Sequence, residues 1–304
     1  MALFLEQLLN GVQFGIMLFL VSAGLTLVFG IMNLINLAHG SLYMVGAFIA
    51  ATVTANTGSF LVGALAALVG AAIVGMAIET TVFRRLYDKD HLNQVLATFG
   101  LILIFNELAV IIWGRTPVFT TVPEFLGGAV ELMPGLFYPN YRLAITVVGL
   151  LVSAALYVGI QRTRIGMLIR AGSTNRDMVR ALGVDIRLLY TLVFGIGTLL
   201  AGLAGVMVGP ILSVQVGMGE QILILAFVVI VVGGIGSIRG AMFGALLIGL
   251  VDTLTRSFAP DLLRTVLTAS EADNVAGVLS SIMAYLVMAL VLLWRPQGLF
   301  ASHA

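Results

Sequence analysis

Hydrophobic residues run through this chain in blocks too long and too uniform for a water-soluble core. From Gln7 to Ile78 no Asp, Glu, Lys or Arg interrupts the sequence. One helical crossing of a bilayer takes about 20 apolar residues, so this stretch has room for about three crossings. The pattern predicts helical runs at about 8–30, 40–56, 60–83, 93–113, 142–160, 188–210, 220–237, 241–256 and 276–294. None of them alternates apolar and polar positions as the strands of a membrane barrel do. Helices are then the remaining way to satisfy the backbone in lipid. The expected fold class is all-α, a polytopic transmembrane helix bundle of about 8–10 helices in a single domain over 1–304.

One polar stretch interrupts the first block. In GIMNLINLAHG, residues 30–40, Asn33, Asn36 and His39 follow at intervals of three, and Ser41 comes next. A continuous helix would set the asparagines and the histidine along one stripe. Gly30 and Gly40 bracket the stretch and are the expected breaks of a broken or re-entrant element near 30–42. Polar side chains in such a place either glue helices together or line a wet path. The residues leave both readings open.

Composition agrees with the pattern. Of 304 residues, 60% are hydrophobic and only 10% charged, against roughly 25% charged in a soluble domain. Mean hydropathy is +1.12. The start, MALFLEQLLNG, lacks a basic region and carries Glu6, so the first run is expected to stay as a helix and not to be cleaved as a signal. Cysteine is absent. That rules out disulfides, Cys-based metal sites and thiol lipidation.

The net charge of +1 says little, but the placement of the charges does. Arg84, Arg85 and Lys89 mark one loop, and Arg162, Arg164, Arg170, Arg176, Arg180 and Arg187 another. Arg239 and Arg295 mark two more. With nine helices all four fall on one side, which makes that side cytoplasmic, with the N-terminus outside and the C-terminus inside. The segment at about 114–141, rich in proline, and residues 257–275, with three acids and one Arg, read as outer loops.

Two further stretches carry candidate roles. Gly233, Gly234 and Gly236 in VVGGIGSIRG do not favour a regular helix and read as a bend or hinge, anchored by Arg239. Small residues recur every fourth position at Ala201, Gly205 and Gly209, and again at Gly236, Gly240 and Gly244. Such spacing lets helix backbones pack closely. The basic segment 161–187 contains Thr174 and Asp177 in a capping-box pattern, then Gly183 as a helix terminator. Met178, Ala181 and Leu182 form one face between them, with Arg176 and Arg180 on a flank. This short amphipathic helix either rests on lipid headgroups or docks into a groove of a cytosolic partner.

Several chemistries are excluded. GGIGSIRG does not fit a dinucleotide loop, since no strand precedes it, and a phosphate-binding GK[ST] is impossible when the single lysine, Lys89, stands between Asp88 and Asp90. No GxSxG elbow or HExxH zinc helix occurs, and His39 is the one histidine deep in an apolar run. No catalytic or metal site is expected, and nothing in the sequence points to nucleic acid. Glu79, Glu107, Glu220 and Asp252 sit near the ends of the predicted runs and read as structural caps. An ion-driven secondary transporter would want buried carboxylates or paired charges. A membrane-embedded enzyme would want catalytic pairs, and a purely structural assembly subunit would want neither.

The motifs GIMNLINLAHGSLYMVGAF, GMLIRAGSTNRDMVRALGV and AFVVIVVGGIGSIRGAMFGALLIG, closed by RPQGLF, occur in an order and spacing that resemble the LivH-type permeases of branched-chain amino acid ABC importers, the hydrophobic amino acid uptake family. The resemblance implies a multi-pass protein of the bacterial inner membrane that pairs with a second, LivM-like permease. It further implies two cytosolic ATPases, which bind ATP and Mg so that this chain needs no cofactor, and a periplasmic solute-binding protein. It makes the segment 161–187 the loop that couples to the ATPases, with Arg170, Ala171, Asn175, Asp177, Ala181 and Gly183 as candidates. It also favours Asn33, Asn36, His39 and Ser41 as lining the substrate path. Many relatives of this type carry an acid after HG, where this chain has Ser41. The implied solute is a branched-chain amino acid, with urea, short amides and aromatic acids as related cargoes.

Overall fold

A computed structural model describes residues 2–87 and 89–300, and within them every side chain except that of Arg176. Asp88, one neighbour of the single lysine, and the Arg176 flank of the amphipathic segment therefore lie outside the described set. Each of the nine apolar runs is a helix. In order they are α1 (Ala2–Met32), α2 (His39–Thr57), α3 (Phe60–Thr81), α4 (His91–Trp113) and α5 (Asn140–Arg162). After two short helices, α6 (Arg164–Thr174) and α7 (Arg176–Ala181), come α8 (Ile186–Val208), α9 (Met218–Gly233), α10 (Ile238–Leu263) and α11 (Ala269–Trp294). Among the described residues seven helices are long and apolar enough to cross a membrane, and α9 is a shorter apolar helix.

Burial sorts these helices into layers. Helices α1 and α8 are enclosed on most sides and form the centre, whereas α3, α4, α5 and α11 expose most of their apolar surface. Between helices in a membrane the hydrophobic effect gives little drive, so close backbone contact has to hold them. Small residues supply it. A Cβ on Gly15 of α1 would lie 2.8 Å from the Ala245 carbonyl oxygen of α10, and one on Gly46 of α2 would lie 2.6 Å from Cα of Gly202 of α8. Gly205 of α8 faces Tyr43 and Ala47 of α2, and Gly240 and Gly244 of α10 face α9. The fourfold spacing read in the sequence thus packs helices of this chain against one another.

The interruption near 30–42 is present, but its breaks are not at the glycines. Gly30 lies inside α1 and Gly40 inside α2. The helix ends instead at Asn33, which has φ 49°, the one non-glycine residue with positive φ among the described residues. Asparagine tolerates this left-handed conformation better than most residues. The three polar residues consequently share no helical stripe. Past Asn33 the chain climbs back along α1, because His39 at the start of α2 packs beside Gly24, roughly 12 Å before α1 ends. Helix α2 therefore begins part-way through the bundle.

Helix α9 also begins part-way. Its second residue, Gly219, meets Gly40 backbone to backbone, so that a Cβ on either would overlap the other's carbonyl. Two helix N-termini thus abut inside the protein. The bend read at Gly233, Gly234 and Gly236 does separate α9 from α10, with φ 106° at Gly234 and 82° at Gly236. It is clamped by the C-terminal segment, where Leu299 N–H donates to Val232 O and Phe300 N–H to Gly233 O, both at 2.9 Å.

At the bundle end that holds the start of α1, the segment 114–141 is more ordered than a plain loop. It carries an antiparallel hairpin, β1 (Ala129–Met133) and β2 (Leu136–Pro139), turned at Gly135 with φ 83°. Val118 pairs with Val214 and ties this segment to the connection before α9. Residues 257–275, expected as a loop, are mostly helical, since α10 runs through Pro260 to Leu263 and α11 starts behind a capping box of Thr268 and Glu271.

Candidate functional site

A cavity of about 870 Å³ opens at the hairpin end of the bundle. Helices α1, α9 and α10 form most of its wall, and Arg142 at the start of α5 reaches its rim. The polar lining comes from Glu6, Gln7, Asn10 and Gln13 of α1, Gln221 of α9, and Asp252 and Arg256 of α10. Arg142 donates to Asn10, whose amide in turn donates to Gln7 at 3.2 Å. Tyr138, on β2 behind this rim, has its phenol pushed up by burial, with Arg142 opposing the shift. The deeper lining is apolar, with Met17, Tyr43, Met218 and Leu225 among the residues that close it.

Asp252 is not a helix cap, contrary to its expected role. It lies inside α10, 6% exposed, and holds Arg256 one turn on through two bonds, Nε to Oδ2 at 2.8 Å and the terminal nitrogen to Oδ1 at 3.0 Å. A paired charge therefore does sit within one of the helical runs. The sequence signal was the i,i+4 spacing of Asp and Arg in an otherwise apolar run. Only the packing of α10 against Gly11 and Gly15 of α1 turns that spacing toward a cavity.

The residues expected on the path lie beneath this cavity. Tyr43 is one helical turn above His39 on α2, and neither Asn36, His39 nor Ser41 reaches the open volume. All three are buried, while Asn33 is exposed at the break. The imidazole of His39 packs beside Gly24 and faces the backbone of Val21, both on α1, while both amide atoms of Asn36 lack a partner. Buried polar atoms left unpaired cost about 1–3 kcal/mol each. His39 and Gly40 lie where α2 and α9 meet α1 and α8, and this closed contact is the plug beneath the cavity.

The opposite end gathers the basic segment. Helix α7 is capped by Asn175, which accepts from Met178 N–H at 2.9 Å, so a single Asn175 cap stands in place of the expected capping box on Thr174 and Asp177. The Thr174 hydroxyl instead donates to Arg170 O at 3.0 Å and closes α6. Gly183 has φ 85° and ends α7 as expected. Arg170 donates to the Ile160 carbonyl and so ties α6 to the end of α5. Of the expected apolar face, Met178 is 57% and Leu182 76% exposed, and Ala181 is exposed with them, while Val179 faces the bundle. Ala171 is half-buried. Asp177 and Arg180 share a second cavity, about 440 Å³, with Arg84, Tyr87 and Arg187.

Glu79 anchors that second site and is not a cap either. Fully buried at the end of α3, it accepts from Tyr87 at 2.6 Å, Thr191 at 2.5 Å and Arg84 at 3.2 Å. The cluster joins α3, the following loop and α8. Burial, then the bond to Glu79, pushes the Tyr87 phenol well above the ordinary tyrosine range. Glu107 is exposed on α4, and Glu220, in the first turn of α9, accepts from Asn106. Among the described residues no group of three His, Asp or Glu side chains stands ready to hold a metal.

The described residues thus enclose a cavity that opens at one end of the bundle and is closed beneath by the contact of α2 with α9. Over residues 7–293 the chain matches the family described as branched-chain amino acid transport system, permease component. It is similar to the high-affinity branched-chain amino acid transport system permease protein BraD of Pseudomonas aeruginosa, 34% identical over 97% of this chain and 95% of that one. It is also similar to the LivH protein of the same description in Escherichia coli, 30% identical over 97% and 96% of the two chains. Ribose import permease protein RbsC of Escherichia coli is 28% identical over 77% of this chain and 72% of its own. No solved structure matches the chain. With a family match over nearly its full length, the chain belongs to the permease components of branched-chain amino acid transport systems, and is a transport subunit and not an enzyme.

Proposed function

We propose that this permease forms half of the translocation pathway of an ATP-driven importer in the bacterial inner membrane, carrying branched-chain amino acids or a related small solute. The observation that carries the reading is the cavity of about 870 Å³ that stops at the plug of α2 and α9. The names of the relatives at 34% and 30% identity support the solute class. In this reading the hairpin end, with the N-terminus, faces outward and receives solute from a periplasmic solute-binding protein. The C-terminus is cytoplasmic. A second, LivM-like permease covers part of the exposed apolar surface.

Two cytosolic ATPases, which bind ATP and Mg, engage α7 through Met178, Ala181 and Leu182. A lipid-resting role for α7 is less favoured because its charges are mixed, with Asp177 and Arg180 lining one cavity together with Asp185 and Arg187, whereas a lipid-resting helix is enriched in cations. Closure of the ATPases would pull α6 and α7, and with them α8 and α5, so that the plug parts. Asn36, His39 and Ser41 would then become the wall of the inward path, and the Gly233, Gly234 and Gly236 bend would absorb part of the movement. Gly40 serves close packing in this scheme and not bending, and Gly30, where a Cβ would meet Gly236 only at ordinary contact distance, lies within α1.

The test is to purify the chain in mild detergent from its native membranes and assay what accompanies it. Two ATPase subunits, a second permease and ATP hydrolysis stimulated by a leucine-loaded binding protein are expected. A lone chain that moves leucine in liposomes without ATP would refute the ATP-driven reading and favour an ion-driven carrier. Orientation is checked separately, since the chain lacks cysteine. Gly135→Cys should react with an impermeant maleimide outside the cell and Leu182→Cys should not.

A further inference from the structure

The Asp252–Arg256 pair has a chemistry that a plain conduit does not require. A charged group inside a membrane segment is costly and marks a pathway more often than a support. Asp252 is held in the low-dielectric wall, while the Arg256 side chain is 60% exposed, and both line the cavity. Only two of the guanidinium nitrogens are engaged with the carboxylate, which leaves donors free to bind a second anion. Gln13, Gln221 and Thr253 add neutral hydrogen-bonding groups to the same cavity, and Met17 and Met218 offer an apolar surface below.

We propose that Asp252 and Arg256 form a zwitterion-selective site in the cavity, with the solute ammonium on Asp252, its carboxylate on Arg256 and its aliphatic chain toward the methionines. The proposal rests on the permease reading and adds the residues that select the solute head. A lone anion would have to compete with Asp252 for Arg256, and a lone cation with Arg256 for Asp252. Either leaves a charge uncompensated in a partly dry wall. At this pair a zwitterion exchanges one ion pair for two, so it engages Asp252 and Arg256 together without leaving either unpaired. The site is a station on the path and needs no tight binding.

Because the chain has no cysteine, Thr253→Cys provides a single reporter on the cavity wall of this subunit. The complete transporter is kept in right-side-out membrane vesicles and labelled with an impermeant maleimide, and the label on this chain is read after gel separation. Leucine is expected to slow labelling. Isoamylamine, which lacks the carboxylate, and 4-methylpentanoate, which lacks the ammonium, are not. With Asp252→Asn added, half-protection should need about tenfold more leucine, the loss of one charge-assisted hydrogen bond, and 4-methylpentanoate should begin to protect. With Arg256→Gln, isoamylamine should begin to protect.

Such an inversion of selectivity is not expected from a residue that merely holds α10 in place. If Asp252→Asn lowers the amount of chain in the membrane, the exchange Asp252→Arg with Arg256→Asp retains a pair and should keep leucine as the sole protecting solute. No protection by leucine, equal protection by all three solutes, or no labelling at all would overturn the proposal. Leucine uptake by cells lacking the chain is measured alongside. Unchanged uptake there would remove the permease reading itself, whereas lost uptake combined with unselective protection would remove only the zwitterion site.

Discussion

Replacing Gly40 by alanine tests the contact between α2 and α9 that closes the cavity from beneath. In an ordinary exposed helix this change stabilises, because alanine favours the helix over glycine by up to about 1 kcal/mol. At Gly40 the new Cβ would overlap the Gly219 carbonyl oxygen and lie 2.7 Å from its carbon and 3.0 Å from Cβ of Leu223. Comfortable carbon contacts are about 3.5–4.0 Å. The obstacle is mostly backbone, so no side-chain rotation relieves it, and α2 and α9 must separate by about 1 Å. Overpacking of this kind costs about 1–3 kcal/mol, which exceeds the propensity gain. We expect Gly40→Ala to lower the apparent Tm of the detergent-purified complex by about 5 °C and to impair uptake. Gly219→Ala should do the same from the other side, with the double substitution costing less than the sum because one separation relieves both contacts. Gly100→Ala, whose Cβ would have nothing within 4 Å, is the control and should leave Tm unchanged or raised. A Gly40→Ala protein with the Tm and uptake of the parent would refute a tight junction between α2 and α9.

Leu182→Glu and Met178→Glu, at exposed positions of α7, should leave Tm within about 1 °C of the parent, yet cut uptake per ATP hydrolysed at least about tenfold if they anchor the ATPase contact. Asn175→Ala removes the cap of α7, costs about 1 kcal/mol locally, and should speed amide hydrogen exchange in 176–181 without changing exchange in α8. Tyr87→Phe removes a donor from the buried Glu79 carboxylate, for a loss of about 1–3 kcal/mol. Since the folded pKa of Tyr87 is raised, this stabilisation is complete below the ordinary tyrosine value of about 10 and declines as pH rises above it. The Tm difference between parent and variant should therefore be constant from pH 6 to 9.

Much of this protein was decided by sequence alone. Nine apolar runs, free of charge or nearly so, leave lipid as the only compatible solvent and helices as the only backbone solution, and these are local properties that need no partner. The turn at Gly233, Gly234 and Gly236, the terminator Gly183 and the exposed face of α7 were legible for the same reason, because glycine conformation and helix periodicity are written in adjacent residues. The path was legible only in part. Asn36 and His39 announce something polar in the bundle, but what packs there, Gly24 of α1 against His39 and Gly219 of α9 against Gly40, is far away in sequence, and only packing closes the contact.

Tertiary structure alone decided where the chain breaks and where it opens. Asn33 takes the left-handed conformation that the flanking glycines were expected to supply, and Gly40 is spent on a backbone contact instead. Asp252 reads as a cap when its helix is taken to end nearby. It becomes a cavity charge because α10 runs on past Pro260 and packs its small face against Gly11 and Gly15 of α1, which turns Asp252 and Arg256 inward. In a membrane every helix is apolar on the outside, so hydrophobic pattern cannot say which face meets lipid and which meets a neighbour; close contacts between small residues distant in sequence make that choice.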